Sequence, residues 1–263
     1  MFNEYFSNYN GSSLIEWTGN NWNIPLFFCS QYIIMITLGC EIMTKRQAFH
    51  SLRIYWKYWN LFLSIFSFMG MINTLPYLLD TIYIKGLDYT MCEGALKWYA
   101  NGNSGIWTAL FIYSKIPELV DTVFLVLLKR PVIFLHWYHH LSVLVYCWHA
   151  FSVSSSSGLW FVSMNYTVHS IMYLYYYLAI SKRVPIWFKS FWITYLQIIQ
   201  MVMGVSVNTY VVYKKFVYGS DSCEVTNTNM FISLVIYSSY FALFVKFFIN
   251  RFYLKTKDTE KSD

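Results

Sequence analysis

Six histidines occur in the 263 residues, and three of them fall within five positions, His136-Trp137-Tyr138-His139-His140. On a helix, positions 136, 139 and 140 project to one side. Imidazole serves as nucleophile, general acid or base, or metal ligand, so three kinds of chemistry are open to this cluster. A fourth histidine closes Asn165-Tyr166-Thr167-Val168-His169. Asn165, His169 and Tyr173 are spaced by four and form one polar stripe. Upstream, Ser114-Lys115-Ile116-Pro117-Glu118-Leu119-Val120-Asp121-Thr122 holds three ionisable groups. Lys115 and Glu118 are three apart, as are Glu118 and Asp121, so they share a face. They fit a structural ion pair that locks helices together, or the polar wall of a buried site. Thr194, Gln197 and Gln200 follow at intervals of three. Interhelical hydrogen bonding explains them as readily as substrate contact does.

The elements that must position these groups are apolar. Hydrophobic residues make up 57% of the chain and charged ones only 12%, about half the charge of an ordinary soluble domain. Seven runs approach the roughly 20 residues that a membrane-crossing helix needs: 24–44, 58–79, 106–128, 132–151, 158–180, 186–213 and 229–250. The sequence predicts an all-α polytopic membrane protein, one integral domain over 1–263, with seven transmembrane helices. The first run is no signal peptide, since more than twenty mostly polar residues precede it without a basic n-region. An unpaired charge within such a run costs about 2.5–3.5 kcal/mol, so Lys115, Glu118 and Asp121 demand partners. Pro117 removes one helical hydrogen bond and predicts a kink.

Lys45, Arg46, Arg53 and Lys57 follow the first run, Lys129 and Arg130 the third, and Lys182, Arg183 and Lys189 the fifth; Arg251, Lys255, Lys257 and Lys261 follow the last. By the bias of Lys and Arg toward the cytosol, the N-terminus is expected in the lumen, and residues 253–263 are expected to form a disordered cytosolic tail. The loop from Asp80 to Gly105 is mixed in charge. Ordinary topology signals account for most of the net +6, although anionic phosphates could use some of these cations. Two consequences follow from the map. Asn10-Gly11-Ser12 is an N-glycosylation sequon in the lumenal arm. Cys92 and Cys223 both fall in lumenal loops, where oxidising conditions permit a bridge; two free thiols are the alternative.

Four elements in order resemble the fatty-acid elongases, the ELO family, of the endoplasmic reticulum. They are K-x-P-E-x-x-D-T at Lys115 to Thr122, H-x-x-H-H at His136 to His140, N-x-x-V-H-x-x-M-Y at Asn165 to Tyr173, and T-x-L-Q-x-x-Q at Thr194 to Gln200. Phe134-Leu135-His136 through His140, with Met164-Asn165-Tyr166, looks like the branch acting on saturated and monounsaturated acyl-CoAs. The resemblance implies a 3-ketoacyl-CoA synthase, an acyltransferase that condenses a long-chain acyl-CoA with malonyl-CoA, releasing CO2 and CoA. It also implies six helices, the second to the seventh, ringed around an acyl tunnel.

By resemblance His139 is the nucleophile, forming an acyl-imidazole, and His169 is its partner. His136 and His140 orient, donate protons or bind the thioester region. Lys115, Glu118, Asp121, Asn165, Tyr173, Gln197 and Gln200 form the supporting polar set. Lys182 and Arg183 are weaker candidates for CoA phosphates. No bound cofactor or metal is expected. NADPH would serve the partner reductases which, with a dehydratase, complete the cycle in the same lipid membrane. Self-association is admitted, and nucleic acid is not a partner. Many members end in a dilysine retrieval signal; here the end reads Thr259-Glu260-Lys261-Ser262-Asp263, so residence would rest on other signals. A di-iron desaturase, which also uses H-x-x-H-H, needs more histidines than these six. A seven-helix receptor or transporter fits the span count and leaves the histidine cluster unexplained.

Overall fold

A computed structural model describes residues 9–254, and each of the seven apolar runs falls on helix. A short helix α1 (Ser12–Asn20) precedes them. Next come α2 (Asn23–Thr44, with a π turn over Met35–Gly39) and α3 (Arg53–Cys92). The third run is split into α5 (Gly102–Ser114) and α6 (Val120–Leu127), after the single turn α4 (Ala95–Trp98). Then follow α7 (Phe134–Ser152), α8 (Gly158–Ile180), α9 (Ser190–Tyr218) and α10 (Asn227–Ile249). Four of these are long and apolar enough to cross a membrane: Asn23–Thr44, the helical stretch His50–Cys92, Ser190–Tyr218 and Asn227–Tyr253. Of the other three runs, the third is broken into two short helices, and the fourth and fifth carry the histidine and Asn165–Tyr173 elements, which lower their mean hydropathy.

Several boundaries depart from the sequence reading. Residues 80–92 are helical, with a break at Gly86, whose φ of 85° suits a residue without a side chain. The expected loop is therefore only 93–101. The arm before residue 24 contains α1, which packs against α7: Trp148 Nε1 donates to the Thr18 carbonyl at 2.8 Å, and the Thr18 and Tyr113 hydroxyls lie 2.7 Å apart. Its Asn, Gly and Thr residues gave no apolar period. The sixth run starts at Ser190 and extends to Tyr218. At the C-terminus a π turn (Asn250–Leu254) prolongs α10, so the expected tail loses its first two residues to helix; the rest of it, with the Thr259–Asp263 ending, lies outside the described residues.

The bundle's inward faces are apolar and small-polar, and the outward faces carry exposed residues such as Phe62, Ile65, Trp192 and Phe231. Helix α8 lies along α3, and α9 pairs with α10. Close approach uses small residues, as expected where lipid supplies no hydrophobic drive. A Cβ on Gly70 would sit 2.4 Å from the Tyr166 ring, and one on Gly204 would sit 2.4 Å from Tyr237.

The two ends of the bundle differ in charge. At one, Lys129 Nζ donates to the Arg46 carbonyl (3.1 Å) and Arg53 to that of Ile180 (3.5 Å), and Lys182 and Arg183 are exposed. This is the basic end. At the other, Cys92 and Cys223 form a disulfide, with Cα atoms 4.2 Å apart, and the Glu224 backbone N–H donates to the Cys92 carbonyl (2.8 Å). Lys97 bridges Glu93 and Glu224, and Lys214 pairs with Asp88 at 2.9 Å. The hydrogen bond from Lys97 holds the Glu93 carboxyl below its usual range. Asn10 is exposed at this end, its side-chain oxygen accepting from the Ser12 N–H.

Candidate active site

The break in the third apolar run creates the polar wall. After Ser114 the chain makes a 3₁₀ turn over Pro117–Leu119, consistent with proline's missing donor. The turn brings Lys115 and Glu118 inside the bundle, with side chains 2% and 6% exposed. Lys115 Nζ donates to both Glu118 oxygens, at 2.8 and 3.0 Å, and sits 3.9 Å from the Phe111 ring centroid. Ser114 adds a third hydrogen bond to Glu118 at 2.8 Å. A buried ion pair needs such extra partners to offset its desolvation.

From this pair the polar groups run on into α8. Lys115 Nζ donates to Asn165 Oδ1 at 3.4 Å, and Asn165 Nδ2 lies 3.2 Å from His169 Nε2. Taken as the amide's N–H donating to the ring nitrogen, this bond leaves His169 Nδ1 as the protonated nitrogen. Asp121 is held separately: Trp59 Nε1 donates to one oxygen and the Tyr173 hydroxyl to the other, both at 2.7 Å. The Tyr173 ring stands edge-on to His169, centroids 5.4 Å apart. Thus the stripe Asn165, His169, Tyr173 is one continuous surface joined at both ends to the segment 115–121.

The H-x-x-H-H box divides between two surroundings. His136 Nε2 lies 2.8 Å from Thr122 Oγ1, whose other neighbour is the Tyr32 hydroxyl of α2 at 2.9 Å. His140 is buried against His136, ring centroids 4.5 Å apart, with Tyr32 on another side at 6.5 Å. His139 is turned away from both partners of Thr122. It lines a cavity together with Asn165 and Gln200, and its ring centroid is 5.2 Å from that of Tyr240 on α10.

This cavity runs down α7 from His139 to Phe151, about 18 Å at 1.5 Å per residue. Phe111, Val143, Cys147, Phe161 and Met201 make its walls apolar. At its far end, by the disulfide, Tyr99 meets the Ser155 carbonyl beside Gly158. The free volume is about 50 Å³, so the passage is narrow for its length. Its walls come from α5, α7, α8, α9 and α10; α2 and α3 do not line it. Among the described residues no three of His, Cys, Asp and Glu converge as a metal site.

Of the supporting set, Gln200 reaches the cavity, whereas Gln197 donates to Met172 Sδ at 3.3 Å. Lys182 and Arg183 lie at the basic end beyond the last turn of α8, away from the cavity. The sequence reading missed Trp59, Tyr32 and Tyr240. Each was read as part of an apolar or interfacial run, and only the partner that meets it in space marks it out.

The chain matches the family described as ELO, GNS1/SUR4, over residues 17–261. It is 40% identical over 281 residues to "Fatty acid elongase 3" of Trypanosoma brucei brucei, covering 98% of this chain and 92% of that protein. It is 40% identical over 235 residues to "Very long chain fatty acid elongase 6" of Drosophila melanogaster, with 89% and 73% covered. The mouse protein of the same name is 38% identical over 261 residues, with 99% and 96% covered. Likeness of this extent spans the polar wall, the histidine box and the cavity walls alike, and the chain belongs to the ELO family of fatty acid elongases.

Proposed function

We propose that this protein is the condensing enzyme of very-long-chain fatty-acid elongation, joining a long-chain acyl-CoA to malonyl-CoA. The observation that carries the reading is that His139 stands at the head of a narrow apolar passage and shares its wall with Asn165 and Gln200. A nucleophile, amide donors and a slot for an alkyl chain are thereby in one place. The passage must widen by side-chain movement to take that chain.

In this reading the lone pair of a His139 ring nitrogen attacks the thioester carbon, and the carbonyl π pair moves to oxygen. Collapse reforms the carbonyl and breaks the C–S bond. The departing CoA thiolate takes the proton from the other ring nitrogen, leaving an acyl-imidazole and CoA thiol. Malonyl-CoA then loses CO2; the electron pair of the broken C–C bond becomes an enolate carbon that attacks the acyl group. The imidazole leaves and recovers one proton, which balances the carboxylate charge lost with CO2. The product is 3-ketoacyl-CoA.

We assign His169, held by Asn165 of the cavity wall, as the partner of His139, with His136 and His140 in the Thr122–Tyr32 surroundings. Lys115, Glu118 and Asp121 hold those elements in register. The basic end, with Lys182 and Arg183, is the side on which CoA phosphates would be met. We read all seven helical units as crossing the endoplasmic reticulum membrane, the basic end cytosolic and the disulfide end lumenal. Asn10 is then open to glycosylation. Reductases using NADPH and a dehydratase would consume the product.

The test supplies the purified full chain in detergent with palmitoyl-CoA and isotope-labelled malonyl-CoA, without reductase or NADPH. A 3-keto product two carbons longer, absent from folded His139→Ala, is the expected result. No product over a range of acyl-CoAs from folded protein would reject the reading.

A further inference from the structure

We infer that Tyr240, on the last helix and outside every motif described above, is the hydrogen-bond donor to the oxyanion that forms at the acyl carbon attacked by His139. This rests on the condensing reading.

The geometry is specific. Tyr240 is 3% exposed and lines the same cavity as His139. Its ring is packed against Tyr138 and Tyr237, with centroids 5.8 and 6.1 Å away, as well as against His139. The ring therefore has little freedom. Its hydroxyl lies 2.7 Å from Ser142 Oγ, one turn along α7 from the histidine box. Ser142 has a single hydroxyl proton, and at 2.5 Å the Tyr138 carbonyl claims it. The phenol proton is then the donor in the Tyr240–Ser142 bond. The other nearby acceptor, the His139 carbonyl, is 3.5 Å off, too long to compete. A phenol O–H held by one neutral acceptor at a cavity wall can turn toward a new anion by rotation about its C–O bond alone. The turn exchanges the bond to a neutral hydroxyl for a stronger one to the developing charge.

Two oxyanions arise at the same acyl carbon. One forms when His139 adds to the thioester, the second when the enolate carbon adds to the acyl-imidazole. In both, the electron pair displaced from the carbonyl rests on oxygen and returns when the leaving group departs. The phenol O–H bond stays intact throughout. No other hydroxyl in the cavity wall is in ring contact with His139: Tyr146 and Tyr237 line the cavity further along, and Tyr99 lies at its floor. Asn165 Nδ2 is engaged with His169, and Gln200 lines the same cavity from α9.

Tyr240→Phe keeps the three ring contacts and deletes only the hydroxyl. Wild type, Tyr240→Phe, Ser142→Ala and His139→Ala are compared in two assays. The first is single-turnover CoA release from acyl-CoA without malonyl-CoA; the second is steady-state condensation. The expected result for Tyr240→Phe is a fall in both rates of about 100-fold or more, with KM for acyl-CoA unchanged. Ser142→Ala removes only the phenol's resting acceptor and keeps the donor, so its kcat is expected to stay within a few-fold of wild type. A purely structural role predicts a lowered thermal midpoint with kcat preserved. Wild-type kcat in folded Tyr240→Phe overturns the inference and leaves the condensing reading standing. Should Tyr240→Phe fail to fold, 3-fluorotyrosine at position 240 keeps the ring and the hydroxyl, and condensation rates that do not respond to its greater acidity overturn the inference. Wild type that makes no 3-keto product rejects both.

Discussion

The two ends of the cavity bury polar groups in opposite ways. Near the box, His139 makes ring contacts but its ring takes no hydrogen bond among the described residues, and Gln200 likewise faces the cavity. At the floor, most polar groups are tied off within the protein. The Tyr99 hydroxyl meets the Ser155 carbonyl, and Ser156 Oγ donates to the Met91 carbonyl at 2.6 Å. Trp160 Nε1 donates to Thr90 at 3.2 Å, and Asn229 Nδ2 to Ser155 Oγ at 2.9 Å. The disulfide stands directly behind Met91. One end leaves donors and acceptors for a guest, and the other closes itself. The contrast shows where binding energy is to be gained from a ligand and where the fold has already spent its hydrogen bonds on shape.

Breaking the wall behind the open end should cost most. Glu118→Gln leaves the Lys115 ammonium buried without its carboxylate, and truncating one member of such a pair typically costs about 3–5 kcal/mol. A large drop in the detergent thermal midpoint, with smaller loss in the double variant Lys115→Met/Glu118→Leu, is the expected pattern. A smaller effect should follow opening the closed end. Cys92→Ser removes a link across 131 residues, for which about 2–4 kcal/mol is typical; kcat measured well below the midpoint should hold, because the disulfide is remote from His139. Loss of kcat there would erase the distinction between the ends. Thr122→Val sharpens it most finely. It deletes the contacts to His136 and Tyr32 at a cost of about 1–3 kcal/mol for the partners left unpaired. Condensation should fall more than stability does, which paired activity and melting measurements would read.

How much was legible in the sequence follows the same division. The seven apolar runs declared their helices because a run of some twenty apolar residues has few other solutions. The Lys115–Glu118 contact was legible too, since both residues sit one turn apart on one segment. The stripe Asn165–His169–Tyr173 was visible as a period of four, and its tie to Asp121 was not. That tie needs the 3₁₀ turn at Pro117 and the indole of Trp59 from a helix sixty residues earlier. Expecting His136, His139 and His140 on one side was too coarse. The first and last, four apart, share the Thr122–Tyr32 surroundings, while His139 is offset enough to reach the cavity. Of the six helices expected to form a ring, five supply residues to the cavity wall, and α3 lies against α8, whose Tyr166 fills the gap at Gly70. Residues 80–92 read as loop because Asp80, Lys85, Gly86 and Asp88 break the apolar pattern, although a helix end at an interface tolerates all of them.

The broken third run bears on biogenesis. Its two halves, of 13 and 8 residues, are each shorter than the roughly 20 apolar residues that span a bilayer, and the joint carries the Lys115 ammonium and the Glu118 carboxylate, with Asp121 in the first turn of the second half. On the proposed topology, Lys115 and Glu118 can pair as soon as both are made, whereas the ties of Lys115 to Asn165 and of Asp121 to Tyr173 wait for residues 50 and 52 positions later. Stable seating of this segment in a bilayer then awaits the synthesis of α8.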